Sequence, residues 1–385
     1  MVLGFWIAAG FLAYVYAGYP LLVALVGWTR NRRVRQAEIT PRVALVVAAH
    51  NEAAAIAAKL ENALKLDYPA ERLEIVVASD GSSDGTDAIA ARYADRGVVL
   101  LSLPRRGKLY ALDAGVEETC CEILVFSDAN TLLHPLAVRR LVRNFADPEV
   151  GGVCGNQVHP RVMARDSSGV GEMLYWSFDK WLKRLESRTG SIVAADGALY
   201  AVRRTLYRMP ESPAVTDDFA ISTAVVAQGR RLVFEPEAVA YERAAGDAVH
   251  EFERKVRITV RGLRGVALRR RLLDPLESGF YAVVLLSHKV LRRLAPVGLL
   301  ALLVCSIALA SRSGWFAAAA LAQGALYALA LAGWLLRGKR VGRGKLFYIP
   351  FFFCLANAAA LVGLLQVASG RRVERWEPRR PAIAT

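Results

Sequence analysis

The chain has 385 residues, 54% of them hydrophobic, and 50 Lys+Arg stand against 35 Asp+Glu for a formal net charge of +15. That composition, with a mean hydropathy of +0.28, excludes a disordered or fibrous chain. The five cysteines are an odd number without a close-spaced framework, and Cys305 and Cys354 lie in apolar runs, which argues against a disulfide-stapled fold; His50, His134, His159, His250 and His288 are scattered without zinc-ligand spacing.

The first element is apolar. Residues 2–28 are long enough for one membrane span, within an N-terminal transmembrane helix drawn at 1–29. A secretory signal is the competing reading, disfavoured because no basic residue precedes the run. Arg30, Arg32, Arg33 and Arg35 follow at once, which by the positive-inside tendency puts that end in the cytoplasm.

Residues 37–273 read as one α/β unit. Short apolar runs at 43–48, 73–79, 98–103 and 122–127 alternate with helical patterns at 52–64, 86–94 and from Lys108. Strand, turn and helix at this spacing imply a Rossmann-like, mostly parallel sheet with helices on both faces. Such sheets bind ligands beyond the carboxyl ends of their strands. His50-Asn51-Glu52, Asp80 and Asp128 each follow a strand directly, so they are expected to converge on one edge.

Each polar cluster has a plain structural explanation beside the chemical one. The turn Asp80-Gly81-Ser82-Ser83-Asp84-Gly85 suits capping as well as ligand binding, and it is neither a Walker loop nor a dinucleotide fingerprint. Asp128-Ala129-Asn130 offers oxygen ligands to a hard cation, or a helix N-cap. Asp217 and Asp218 begin a helical pattern, where they complement the helix dipole or supply a general base. Arg254, Lys255, Arg257, Arg261 and Arg264 make one basic helical face, suited to phosphate, to lipid headgroups or to solvent.

Beyond it, residues 274–293 carry Lys289, Arg292 and Arg293 apart from Leu285, Leu286 and Val290, the pattern of an amphipathic helix lying on the membrane; the first half of a longer span is the alternative. Runs at 294–310, 315–336 and 346–368 make a C-terminal transmembrane region over 294–370, followed by a basic tail, 371–385. Three crossings would put that tail outside, against the positive-inside tendency, unless the last run is re-entrant or another segment crosses.

Taken in chain order, these motifs resemble the membrane-bound family 2 glycosyltransferases, inverting enzymes of GT-A fold that include the cellulose, hyaluronan and poly-N-acetylglucosamine synthase group. Ala48-Ala49-His50-Asn51-Glu52 looks like the opening strand-loop that holds base and ribose, and the turn at Asp80 looks like the nucleotide-binding turn. Gly107-Lys108 is similar to the family's Gly-Lys helix, and Asp128-Ala129-Asn130 stands at its Asp-x-Asp. The resemblance therefore implies a nucleotide-sugar contact set of Ala48, Asn51, Glu52, Asp80, Lys108, Asp128 and Arg257. It implies Mg²⁺ or Mn²⁺ on Asp128 and Asn130, an acceptor side at Gly197 and Asp217, and Asp218 as the base. Chain-elongating members carry Gln-x-x-Arg-Trp where this chain has Arg254-Lys255-Val256-Arg257-Ile258. The missing Trp removes a stacking surface and disfavours processive synthesis.

The expected activity is sugar transfer from a nucleotide-diphosphate sugar, a UDP-sugar by family habit, to a lipid-linked or glycan acceptor in cell-surface polysaccharide synthesis. A processive synthase is the alternative, with a homo-oligomer or export partner completing a channel. The expected location is the inner cell membrane, catalytic unit on the cytoplasmic side and in contact with membrane lipids. A transporter with a nucleotide-sensing domain has too few intramembrane charges to line an ion path. A nucleic-acid partner is not expected, because the basic residues sit beside membrane runs.

Overall fold

The computed structural model describes residues 1–158, 167–210, 212, 215–242, 248–337, 339 and 341–370; His159 and the basic tail lie outside the described residues. Its centre is an eight-stranded sheet: β1 (Val43–Ala49), β2 (Leu73–Asp80), β3 (Val98–Leu103), β4 (Ile123–Phe126), β5 (Leu132–Leu133), β6 (Val150–Val158), β7 (Tyr200–Arg203) and β8 (Arg231–Tyr241), in the order β3-β2-β1-β4-β7-β6-β8-β5. The helices are α1 (Val2–Arg30), α2 (Ile56–Ala63), α3 (Thr86–Ala91), α4 (Lys108–Glu117), α5 (Ala137–Val142), α6 (Ser167–Thr189), α7 (Asp217–Ala227), α8 (Ala248–Leu268), α9 (Phe280–Leu309), α10 (Gly314–Leu335) and α11 (Lys345–Ala368), with shorter helical turns between them.

β1 shows why the sheet has two covered faces. Every one of its residues is buried. Val43, Leu45, Val47 and Ala49 join the core that contains Ile56 and Leu60 of α2 and Leu141 of α5. Ala44, Val46 and Ala48 join the opposite core with Ala111, Leu112 and Val116 of α4. A strand buried on both sides must read as a continuous apolar run, and the period of two then sorts its side chains between the layers.

The pairs β1–β2, β2–β3, β1–β4 and β6–β8 are parallel. β7 departs from the expected pattern, running antiparallel to both β4 and β6. It joins the Rossmann-like half to the β6–β8 half and brings the segment before Tyr200 to the same edge as the loop after β4.

Among the described residues four helices, α1, α9, α10 and α11, are long and apolar enough to cross a membrane. α1 ends where Asn31 takes φ +37°, a left-handed cap that Asn tolerates. The expected separate interface helix over 274–293 is not what forms. Pro275–Ser278 makes a single turn, and Phe280–Leu309 is one continuous element. Lys289, Arg292 and Arg293 therefore lie in its first half, and they face protein. Lys289 Nζ is 5.7 Å from the centroid of the Phe219 ring, Arg292 reaches Asp179 at 4.0 Å, and Arg293 packs against Gly262 of α8. The last run is likewise one unbroken helix, α11, rather than a hairpin.

α8 carries the basic face. Its apolar side docks on α11, where Val256 and Val260 pack with Ala359. A Cβ on Gly363 would come within 2.7 Å of Thr259, so the two helices approach as closely as their backbones allow.

Candidate active site

The edge formed by the carboxyl ends of β2, β1 and β4 gathers most of the expected residues. Asp80 closes β2 and is 1% exposed. Its carboxylate accepts the backbone N–H of Arg106 at 2.7 Å and of Gly107 at 2.9 and 3.0 Å, while its carbonyl lies 2.7 Å from His50 Nδ1. Gly107 can present that amide because it adopts φ +105°, open to glycine and strained for other residues. Asp80 thus acts by fixing the turn that starts α4, and so the position of Lys108.

Asn51 holds φ +53° and ties the first strand-loop to the second: its N–H donates to Ser82 Oγ at 3.1 Å and its Oδ1 accepts from Ser83 N at 2.8 Å. Glu52, buried, donates its N–H to Thr86 Oγ1 at 2.8 Å. Ala48 contributes no open surface, since its methyl lies in the core beside α4.

Lys108 is the junction of the site. Its ammonium is 2.7 Å from Asp128 Oδ1 and 3.0 Å from Asp217 Oδ2. Burial works against its charge, yet the two carboxylates outweigh that and hold it above the ordinary lysine range. A Cβ on Gly197 would sit 3.5 Å from Asp128 Oδ2, 3.8 Å from Asp218 Oδ2 and 4.0 Å from Lys108 Nζ. Gly197 is the floor between these groups, and its missing side chain leaves the space they share.

Asp218 has its carboxyl pushed up to about 6, by burial first and by the Asp217 charge second; Thr216, Lys108 and Lys289 pull the other way. Arg261 is buried, with its Nε unpartnered among the described residues, and it lies within electrostatic reach of Asp217 and Asp218. Arg257, the expected phosphate contact, is exposed one turn earlier on α8. The arginine that the fold turns toward the acidic pair is Arg261. Tyr200, fully buried, also leaves its hydroxyl unpartnered within reach of the same carboxylates.

Lys59 was not foreseen. It is fully buried, and its ammonium donates to Ser127 Oγ at 2.7 Å and to the Thr131 carbonyl at 2.8 Å, bracketing the loop that bears Asp128. Ser127 in turn donates to the Ala198 carbonyl at 2.8 Å, which holds the Gly197 segment beside that loop. Burial pushes Lys59 down to about 7, against the pull of Asp128. A signal was present: Ile56, Lys59, Leu60 and Ala63 form the apolar stripe of α2, and a lysine in such a stripe needs buried acceptors.

The donor set fits a hard divalent cation. The available side-chain ligands are carboxylate oxygens, Asp128 is more open than Asp217, at 30% against 13% side-chain exposure, and a cationic group already bridges the two. Among the described residues no three His, Cys, Asp or Glu side chains make a closed cage. An ion of this class ordinarily completes its shell with phosphate oxygens and water. Asn130 is exposed and adds no buried ligand.

Residues 44–208 match the family described as "Glycosyl transferase family 2". Poly-beta-1,6-N-acetyl-D-glucosamine synthase of Staphylococcus aureus is 27% identical over 207 residues, 52% of this chain and 49% of that protein. The Staphylococcus epidermidis counterpart is 26% identical over 208 residues, with the same shares of 52% and 49%. The chain thus spans about half the length of these curated relatives. A mannosyltransferase of Pyrobaculum calidifontis, solved in complex with GDP-Man and Mn²⁺, shares the fold, with a TM-score of 0.72, 24% identity and coverage of 96% of this chain and 100% of that one. Residues 44–208 are thus similar to a glycosyl transferase family 2 domain and lie on a GT-A-like sheet, with candidate membrane helices towards both ends of the chain.

Proposed function

We propose that the protein is a membrane-bound, inverting glycosyltransferase that moves a sugar from a nucleotide-diphosphate sugar, a UDP-sugar in the first instance, to a hydroxyl of a lipid-linked or glycan acceptor. Its catalytic unit would face the cytoplasm, where such donors are made. The observation that carries this reading is the meeting of Lys108, Asp128, Asp217 and Asp218 around Gly197.

Asp218 takes the role of base. A carboxyl pushed up to about 6 is mostly ionised at neutral pH yet more basic than an ordinary aspartate. It would accept the acceptor's hydroxyl proton while that oxygen bonds to the anomeric carbon from the face opposite the leaving group. The bond from that carbon to the diphosphate oxygen then breaks, and its electron pair leaves with the nucleotide. Lys108 and Arg261 would offset the charge gathering on that diphosphate. A Mg²⁺ or Mn²⁺ held by Asp128 would supply Lewis-acid stabilisation of the same charge. The Mn²⁺ in the Pyrobaculum complex supports a divalent ion, and its GDP-Man supports a nucleotide-diphosphate sugar.

The names of the staphylococcal relatives favour a second reading, processive synthesis from an N-acetylglucosamine donor. Arg257 without a following Trp favours single or limited transfer. The test is nucleotide release by lipid-reconstituted protein over a panel of UDP- and GDP-sugars, with Mg²⁺, Mn²⁺ or chelator, alongside Asp218→Asn and Asp128→Ala. Metal-dependent release from one donor, lost in both variants, supports the proposal, and product length separates single from repeated addition. No nucleotide binding and no release from any donor would refute it.

A further inference from the structure

A cavity of about 650 Å³ lies outside the acidic site, where the end of α1 meets α6 and β8; Trp28, Arg33, Arg184, Arg188 and Glu235 are among its walls. Its frame is tightly built. A Cβ on Gly27 would come within 3.2 Å of the Leu185 carbonyl, the Arg32 N–H donates to the Arg188 carbonyl at 2.9 Å, and Arg231 donates to the Arg32 carbonyl at 2.8 Å.

The charges of this cavity do not balance. Glu235, 1% exposed, is matched from behind by Arg143 at 3.0 Å and by the Gln36 amide at 3.0 Å. Arg32 is matched by Glu149 at 3.0 Å. Arg33, Arg184 and Arg188 are exposed, and no carboxylate pairs with them among the described residues. Three guanidinium groups around one opening suit a phosphate, which their planar forks bind in pairs of hydrogen bonds.

The approach to the cavity is apolar. Leu21, Leu25 and Trp28 are exposed at 68%, 57% and 79%, and their spacing places them on one face of α1. That face leads along the candidate span to the opening, where Trp28 lines both. A ligand matched to the whole feature has an anionic phosphate head and apolar chains. We infer that this cavity is a binding site for the phosphate headgroup of an anionic phospholipid, its acyl chains lying along Leu21, Leu25 and Trp28. A merely solvated basic face would need neither a framed cavity nor an apolar track into it.

The inference goes beyond the catalytic reading and is independent of any donor sugar; it rests on α1 entering the membrane. The test uses the full chain in a neutral maltoside detergent, titrated with short-chain phosphatidylglycerol or phosphatidylcholine and followed by a label remote from the cavity. Saturable binding of phosphatidylglycerol is expected, with phosphatidylcholine much weaker. Arg184→Gln/Arg188→Gln should weaken it roughly tenfold or more, since two charge-assisted contacts are lost. The charge-matched control Lys65→Gln/Arg92→Gln, on the exposed surface of the sheet domain, should not. Linear uptake without saturation, or equal weakening in the control, would overturn the site. Inorganic phosphate binding as tightly as phosphatidylglycerol would overturn the lipid assignment, because the apolar track would then contribute nothing. Thermal melting of each variant separates lost binding from lost folding. A failed donor assay leaves this readout untouched.

Discussion

The pH dependence of turnover tests the assignment of Asp218 more directly than its loss does. With its carboxyl pushed from 3.8 to about 6, the ionised fraction falls from about nine-tenths at pH 7 to about one-tenth at pH 5. The value of kcat/KM should therefore drop roughly tenfold across that interval, whereas a base left at 3.8 would lose almost nothing. Two substitutions should move this acid limb in opposite directions. Asp217→Asn removes the neighbouring charge that raises Asp218, so the limb shifts to lower pH; Lys108→Met removes a cation that lowers it, so the limb shifts to higher pH. Both variants will be slower, and the quantity read is the midpoint of the profile, not its height. Nucleotide release at fixed free metal concentration, from pH 4.5 to 8.5, is the assay. A flat profile down to pH 5, or shifts of the same sign in the two variants, would refute Asp218 as the base.

The same residue predicts a trade between activity and stability. A carboxyl raised in the fold favours its protonated form, so its stabilising contribution is complete below about 3.8 and is lost as pH rises through about 6. The shift corresponds to about 3 kcal/mol at most, and roughly 1–2 kcal/mol once the partial solvent access of Asp218 is allowed for. Asp218→Asn should abolish turnover while raising Tm at pH 7.5, and a lowered Tm would contradict this. Gly197→Ala places a methyl at ordinary contact distance from Asp128 and Asp218, so the fold should keep its Tm while donor turnover falls about tenfold or more; unchanged turnover would show the space is not used. Asp80→Ala leaves the Arg106 and Gly107 amides unpaired, which should cost about 1–3 kcal/mol in melting and raise the donor KM through Lys108. Gly363→Ala forces a methyl to within 2.7 Å of Thr259 and should destabilise by about 1–3 kcal/mol, with partial recovery in the Thr259→Gly background; additive losses would mean that the α8–α11 contact is not what Gly363 protects.

Part of the site was legible in the sequence because it lies at the ends of short apolar runs. A strand buried on both faces announces itself by composition, its end is followed by polar residues, and parallel order brings successive ends to one edge. Asp80 and Asp128 could be placed by that reasoning, Asp217 and Asp218 by their position at a helix start, and Lys108 only by the resemblance of Gly107-Lys108 to a family motif. Residues whose role depends on which way a helix is turned could not. Arg257 and Arg261 differ by one turn of α8, and only the packing of Val256, Val260 and Thr259 against α11 shows which of them faces the acids. The antiparallel strand β7 was also hidden, because Tyr200–Arg203 is four residues long and its pairing joins segments far apart in the chain. The charges of α9 depart from the local pattern for a related reason. Local amphipathicity assigns Lys289, Arg292 and Arg293 to a headgroup layer, yet their partners arrive from α6, α7 and α8, beyond the reach of any local pattern. His288, 2.7 Å from Glu186 and 3.3 Å from Asp179, belongs to the same seam. Asp179 also pairs with Lys183, which reaches Asp196, the residue beside Gly197. Polar groups buried between a long apolar helix and the sheet domain are costly unless matched, so this seam fixes how α9 sits against that domain; under the proposed function it would also set the distance from the bilayer at which Asp218 meets an acceptor.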